Sequence, residues 1–170
     1  MDIKTLIRDV PDFPKKGIIF KDITPLLKHP KAFQEVISKM AEQYKSQKIN
    51  SIVAMESRGF ILGGALAIQM GVSFIPVRKP GKLPWKTLQE TYELEYGKDT
   101  LEIHQDSIVK GDKVLVLDDV LATGGTASAT IRLVERAGGD VVGACFLIHL
   151  SFLNGHEKLK SIPIFSILQF

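Results

Sequence analysis

Val114-Leu115-Val116-Leu117-Asp118-Asp119-Val120-Leu121-Ala122-Thr123-Gly124-Gly125-Thr126 runs from an apolar block through two acids into a threonine- and glycine-rich loop. The four apolar residues Val114 to Leu117 suit a buried strand, and the acids say that its carboxyl end leaves the core. In open α/β sheets that edge is where ligands gather. Adjacent carboxylates in a regular strand point to opposite faces, so both serve one ligand only if the chain bends there. Paired glycines let the backbone approach a ligand closely. Successive N–H groups of such a turn and of the helix after it converge on an anion, and the Thr123 and Thr126 hydroxyls add donors. Thr126 to Ala137 has helical spacing, with Ala127, Thr130, Ile131 and Val134 on the inward stripe. A phosphate monoester fits the loop and vicinal ribose hydroxyls fit the acids, so a sugar phosphate fits both. An ordinary strand-to-helix turn with two solvated acids is the plain alternative, and the ordered string as a whole argues against it. No Lys follows the glycines as in a nucleotide-triphosphate loop, and the chain has no G-x-G-x-x-G.

Outward from this segment, Ser51 to Met55, Val72 to Val77, Val141 to Leu150 and Ile162 to Leu168 read as further strands. Gly59 to Met70 reads as a helix whose small residues Gly63, Gly64, Ala65 and Ala67 allow close packing on a sheet. Phe33, Val36, Ile37, Met40, Ala41 and Tyr44 mark one face of an amphipathic helix. Ile3, Leu6, Ile7 and Val10 also fall at helical spacing before Pro11 stops the pattern. Pro11 to Pro25 is punctuated by Pro and Gly around Ile18-Ile19-Phe20, and Pro80 to Thr91 is a long polar stretch. From Tyr92 to His104 apolar and acidic residues alternate about a turn at Gly97-Lys98-Asp99, which predicts a hairpin projecting from the body. Strands that are nearly continuous in apolar residues, alternating with helices, imply an α/β fold. Its mainly parallel open sheet is flanked by helices on both faces.

At 170 residues the chain suits a single domain spanning 1–170, without repeat or linker. Its apolar share of 45% and charged share of 24% are globular, and a net charge of +3 gives no case for nucleic-acid binding. The single cysteine, Cys145, lies in an apolar run as a core residue and leaves no internal disulfide, which fits a cytoplasmic setting. Asp2, Arg8 and Asp9 break any signal-like run at the N-terminus, and no stretch approaches the roughly 18 apolar residues of a membrane span.

Glu56-Ser57-Arg58-Gly59 follows a strand end and so falls on the same sheet edge as Asp118. There Arg58 suits a pyrophosphate through charge-assisted hydrogen bonds, against the plainer role of a solvated helix-start arginine. Arg78, Lys79, Lys82 and Lys86 form a basic run, such as often is only solvated surface. Glu95 is one of four acids in the hairpin. His29, His104, His149 and His156 have no metal-ligand spacing, and none is assigned catalysis.

The Val114–Thr126 segment resembles the phosphoribosyl-pyrophosphate motif of the type I phosphoribosyltransferases. Asp12 to Pro25, Glu56-Ser-Arg-Gly-Phe60, Pro76 to Pro84, Leu94-Glu-Tyr-Gly97 and Leu101-Glu-Ile-His104 resemble the adenine-specific branch of that family, in order over most of the chain. The resemblance implies transfer of a 5-phosphoribosyl group from phosphoribosyl pyrophosphate to N9 of adenine, giving AMP and pyrophosphate. Asp118 and Asp119 would orient the ribose and stabilise positive charge at its anomeric carbon, and Ala122, Thr123, Gly124, Gly125 and Thr126 would hold the 5′-phosphate. The backbone at Ser57, through a strained peptide, Arg58 and Lys82 would hold pyrophosphate, with Arg78 near a dimer interface. Phe20 would stack on adenine under a small N-terminal hood, while backbone groups of Ile19 and Lys21 read its edge; the family often has Arg where Lys21 stands. Core packing is the plainer role for Phe20. Glu95, on a flexible hairpin over the site, would be the acid/base residue. Mg²⁺ is the implied cofactor, held by substrate and water rather than by protein side chains, and the implied assembly is a homodimer. A phosphoribosyltransferase for hypoxanthine, guanine or orotate is the nearest rival. A non-catalytic sensor of phosphoribosyl pyrophosphate is another, but it would need a DNA-binding domain or basic face that the chain lacks.

Overall fold

The computed structural model describes residues 2–94, 97–159 and 161–170. A 3₁₀ turn at Ile3–Leu6 leads into β1 (Arg8–Pro11) and β2 (Ile19–Asp22), which pair antiparallel as a small ribbon. Then come α1 (Thr24–Leu27), α2 (Pro30–Tyr44), β3 (Ser51–Met55), α3 (Arg58–Met70) and β4 (Ser73–Val77). A two-stranded ribbon of β5 (Thr87–Glu93) and β6 (Lys98–His104) precedes β7 (Lys113–Leu121) and α4 (Gly125–Arg136). The chain ends with β8 (Asp140–His149), 3₁₀ turns at Ser151–Leu153 and Gly155–Leu159, and β9 (Ile164–Gln169). No described helix is long and apolar enough to cross a membrane.

The main sheet is the parallel one implied by the strand–helix alternation, in the order β4-β3-β7-β8-β9. Period-two alternation gives the central strands β3 and β7 two buried faces. Ile52, Ala54, Leu115 and Leu117 pack with α2 and α3, while Val53, Met55, Val114 and Val116 pack with α4 and the β5–β6 ribbon. Right-handed crossovers to opposite sides explain this division, since α3 carries the chain from β3 outward to β4 and α4 carries it from β7 the other way to β8. The strand order reverses between β3 and β7, so a crevice opens beyond their carboxyl ends.

Small residues bring α3 onto the sheet, at Gly63 as expected and also at Gly59, whereas Gly64 faces open space. A Cβ on Gly63 would lie 2.8 Å from Ala54 Cβ, and one on Gly59 would lie 2.8 Å from Asp118 Oδ1. The first turn of α3 is therefore pressed against Asp118 of β7. At its other end the helix stops at Gly71, whose φ of 66° is the usual left-handed cap.

Several local expectations are corrected. The helical spacing from Ile3 to Val10 holds only through Leu6. Arg8–Pro11 instead forms β1, because the ladder to Ile19–Asp22 and the ion pairs Arg8–Asp22 (2.8 Å) and Asp9–Lys21 (2.7 Å) outweigh a helix too short to stand alone. The polar stretch ending at Thr91 contains most of β5, and the hairpin turn is not at Gly97-Lys98-Asp99. Lys98 and Asp99 belong to β6, with Tyr92 opposite Asp99, and Leu94 N–H donates to Gly97 O at 2.9 Å. Nor does the ribbon stand off from the body. Tyr92, Leu101 and Ile103 are buried with α4, while Arg132 and Arg136 hold Glu90 at 2.6 and 2.9 Å. Finally, β7 runs past Leu117 to Leu121, paired with β8, so both acids lie within the strand.

Candidate active site

Parallel register sets Ala54 opposite Leu117, which brings Glu56-Ser57-Arg58 after β3 beside Asp118 and Asp119. These residues and Thr126 line a cavity of about 440 Å³, closed on its other side by Lys79, Tyr92 and Asp99. A smaller cradle of about 70 Å³ adjoins it, formed by Asp118, Val120 and the loop from Leu121 to Ala127. The two share Asp118 and Thr126. Ala122, Thr123, Gly124, Gly125 and Thr126 therefore lie together around the cradle, at the N-terminus of α4 where N–H groups are free to meet an anion.

Glycine is required in that loop. Gly124 has φ +76°, and a Cβ there would lie 2.2 Å from Gly155 O. Gly155 returns the constraint, since its own Cβ would lie 2.0 Å from Ala122 O. The 3₁₀ turn beginning at Gly155 thus buttresses the cradle, a role with no local sequence signal because the two glycines are far apart in the chain.

The acids are crowded. Asp119 is 4% exposed, and its N–H donates to Asp118 Oδ1 at 2.9 Å. Arg58 Nε lies 2.6 Å from Asp119 Oδ2, an ion pair without hydrogen-bond alignment. Burial, and then the adjacent Asp119 charge, push the Asp118 carboxyl well above the ordinary carboxylate range. Burial also raises Asp119, against the pull of Arg58. Arg58 offsets this burial only in part, and sugar hydroxyls and a cation would supply further donors and positive charge.

Arg58 connects this pair to the N-terminal ribbon, its guanidinium carbon lying 4.7 Å from the Phe20 ring centroid. Phe13 meets Phe20 edge-on at 5.2 Å, and Ile19 is 56% exposed beside them. An apolar, partly open aromatic patch thus borders the acid pair. The Lys21 side chain is engaged elsewhere, with Asp9 at 2.7 Å and over the Phe170 ring at 4.1 Å. Of Lys21 only the backbone is left to face the patch.

Of the other residues singled out in the sequence, Arg78 pairs with Glu56 at 2.6 Å and lies over Phe60 at 5.8 Å. Burial works to raise Glu56, but the Lys79 N–H and Arg78 outweigh it and hold the carboxyl below its ordinary value. Lys82 is exposed and does not line the cavity; its carbonyl accepts from Arg78 at 3.4 Å. Lys79, its neighbour in the basic run, lines the wall instead, and burial lowers its pKa. The Glu56–Ser57 peptide is cis. Glu95 lies outside the described residues. Tyr92 and Asp99 were passed over in the sequence, and only their opposition across the ribbon brings them to the wall.

With this geometry in view, comparison with known proteins is specific. Residues 22–166 match the phosphoribosyl transferase domain. An adenine phosphoribosyltransferase of Geobacter metallireducens is 55% identical over 169 residues, covering 99% of both chains. The crystal structure of adenine phosphoribosyltransferase from Thermoanaerobacter pseudethanolicus superposes with a TM-score of 0.98 at 53% identity, covering 99% of this chain and 98% of that one. The Saccharomyces cerevisiae enzyme, crystallised with an imino-altritol bisphosphate and adenine, gives a TM-score of 0.93 at 41% identity, covering 98% and 97%.

Proposed function

The chain belongs to the phosphoribosyltransferase family, and from that premise we infer that it transfers the 5-phosphoribosyl group from phosphoribosyl pyrophosphate to N9 of adenine. The products are AMP and pyrophosphate, a purine-salvage reaction. One observation carries the reading: Arg58 spans from the Asp119 carboxylate to the Phe20 ring, so a sugar-phosphate cradle and an aromatic platform share one crevice.

In this reading the loop from Ala122 to Thr126 holds the 5′-phosphate. Asp118 and Asp119 accept from the vicinal ribose hydroxyls and stabilise the positive charge that develops at the anomeric carbon. Arg58, Lys82 and the backbone at Ser57 bind the departing pyrophosphate, and Arg78 supports them through Glu56 and near a subunit interface. Phe20 stacks on adenine, with backbone groups of Ile19 and Lys21 reading its edge. Glu95 takes the proton from the base as the new bond forms.

A divalent cation fits the donors on hand: two adjacent, charge-crowded carboxylates offer hard oxygen ligands. Among the described residues no three His, Cys, Asp or Glu side chains cluster as a metal cage. Asp118 and Asp119 would thus hold Mg²⁺ through ribose hydroxyls and water, and the ion would neutralise pyrophosphate charge. The same reading makes the protein a single-domain, cytoplasmic homodimer, which light scattering checks for assembly.

Incubating the protein with phosphoribosyl pyrophosphate, Mg²⁺ and each base in turn tests the assignment. AMP is expected from adenine. A nucleotide formed only from hypoxanthine, guanine or orotate would move the specificity to that base, and no product from any base would favour a ligand-sensing role.

A further inference from the structure

Resting on the phosphoribosyl-transfer reading, we propose that Asp99 is a positioning residue that, through Tyr92, sets the two phosphate-binding ends of the site together. Its Oδ2 atom pairs with the Lys79 ammonium and also accepts from the Tyr92 hydroxyl at 3.2 Å. The same Tyr92 hydroxyl lies 3.1 Å from Thr126 Oγ1. A phenol has one proton. With that proton given to Asp99, the Tyr92 oxygen accepts from Thr126, and the bonds order as Thr126 to Tyr92 to Asp99, with Lys79 closing the far end.

The ends of this chain are the informative part. Thr126 sits in the first turn of α4, against the phosphate cradle, while Lys79 sits after β4 with its N–H on Glu56 at 3.0 Å, next to the Ser57–Arg58 segment. All four side chains line the 440 Å³ cavity. Tyr92 also forms a wall for the loop, since a Cβ on Gly125 would lie 3.4 Å from its ring. Lys79 is 44% exposed on a flexible stem, and without a carboxylate its ammonium would spread over many rotamers. The Thr126 hydroxyl proton is spent on Tyr92, so the loop offers the phosphate its backbone N–H groups; holding that turn and the Lys79 ammonium in place before the ligand arrives removes the ordering cost from binding. A ligand with a phosphate at one end and a pyrophosphate at the other is one that benefits from both ends being set at once.

Steady-state kinetics on the whole protein, varying each substrate against saturating levels of the other, test the proposal. Asp99→Asn keeps the shape and removes the charge; Tyr92→Phe removes only the hydroxyl. Each is expected to raise the KM for phosphoribosyl pyrophosphate about tenfold, the scale of one charge-assisted hydrogen bond. The KM for adenine, kcat and the melting temperature should stay close to wild type. The double variant should be no worse than the poorer single one, because both act through one chain. An unchanged or lowered KM for phosphoribosyl pyrophosphate in Asp99→Asn overturns the proposal, since Asp99 would then be idle or a competitor for Lys79. Additive effects, or an equal rise in the KM for adenine, overturn it as well. Absence of AMP from the wild type itself sinks the underlying reading and the proposal with it, whereas an active wild type with unaffected variants sinks the proposal alone.

Discussion

Within β7, Asp118 and Asp119 are adjacent acids in a buried setting, and the Arg58 guanidinium beside Asp119 offsets their crowding only in part. Because the Asp118 carboxyl is raised in the folded chain, the native state binds more protons than the unfolded one between the ordinary carboxylate value and the raised one. Stability is therefore greatest below that window and falls as pH climbs through it. Asp118→Asn escapes the loss. At pH 8 the variant is expected to melt roughly 3 °C above wild type, with the gap closing towards pH 4, while turnover drops on the order of a hundredfold. Thermal melts across pH check this, and a variant no more stable than wild type at pH 8 would refute it. Gly124 poses the opposite case, a residue that tolerates no replacement. Ala there meets both the positive φ and the Gly155 carbonyl 2.2 Å away, so Gly124→Ala should cost about 2–3 kcal/mol and abolish activity. Gly125→Ala, whose Cβ would meet only the Tyr92 ring at 3.4 Å, is expected to keep most of the stability, as denaturant titration of both variants would show.

Among the elements, the β5–β6 ribbon shows where sequence reading reached its limit. Segments whose signal is local were legible: the apolar run of β7, the glycine loop and the inward stripe of α4 each follow from adjacent residues. Asp118, Arg58 and the loop could thus be assigned to one sheet edge in advance, because parallel strands present their carboxyl ends together. β5 was hidden because only one side of it is covered, and Thr87, Gln89 and Thr91 carry no apolar pattern. Tyr92 and Asp99 become partners through cross-strand register, which reading Lys98 and Asp99 as turn residues conceals. The same holds for Arg8–Pro11, a strand only by virtue of Ile19–Asp22. What docks the ribbon is equally nonlocal: Arg132 and Arg136 on α4 hold Glu90 below the ordinary carboxylate value, the Arg132 hydrogen bond being the larger cause. A depressed carboxyl contributes stability above its unfolded value, lost as pH falls through the folded one. Glu90→Gln should therefore cost about 1 kcal/mol at neutral pH and little once acid has protonated Glu90 in the folded chain, these being partly exposed pairs. It should also speed amide hydrogen exchange in β5 and β6 ahead of β3 and β7, and uniform exchange across both would count against ribbon docking by Glu90.

For the molecule as a whole, the reversal of strand order between β3 and β7 gathers the proposed ligand groups where the chain is least content without a ligand. The sheet beneath is continuous from β4 to β9 and its central strands are buried on both faces, whereas the crevice above it carries two raised carboxylates and an α4 terminus with free N–H groups. Ligand donors and cations relieve both, and only in the folded state. Binding must then raise global stability by mass action, about 2.7 kcal/mol at a hundredfold excess over Kd, or roughly 5–10 °C for a chain of this size. Phosphoribosyl pyrophosphate with Mg²⁺ should produce that shift in a thermal melt, and adenine alone much less, because in the proposed reading adenine meets only the Phe20 patch and leaves the acids unrelieved. Asp118→Asn should start from a higher melting temperature and gain less on adding the same ligand, since part of the relief has already been supplied by the substitution. A variant that gains as much as wild type would mean that ligand binding and the carboxylate pair are uncoupled, and the ribose would have to be held elsewhere in the crevice.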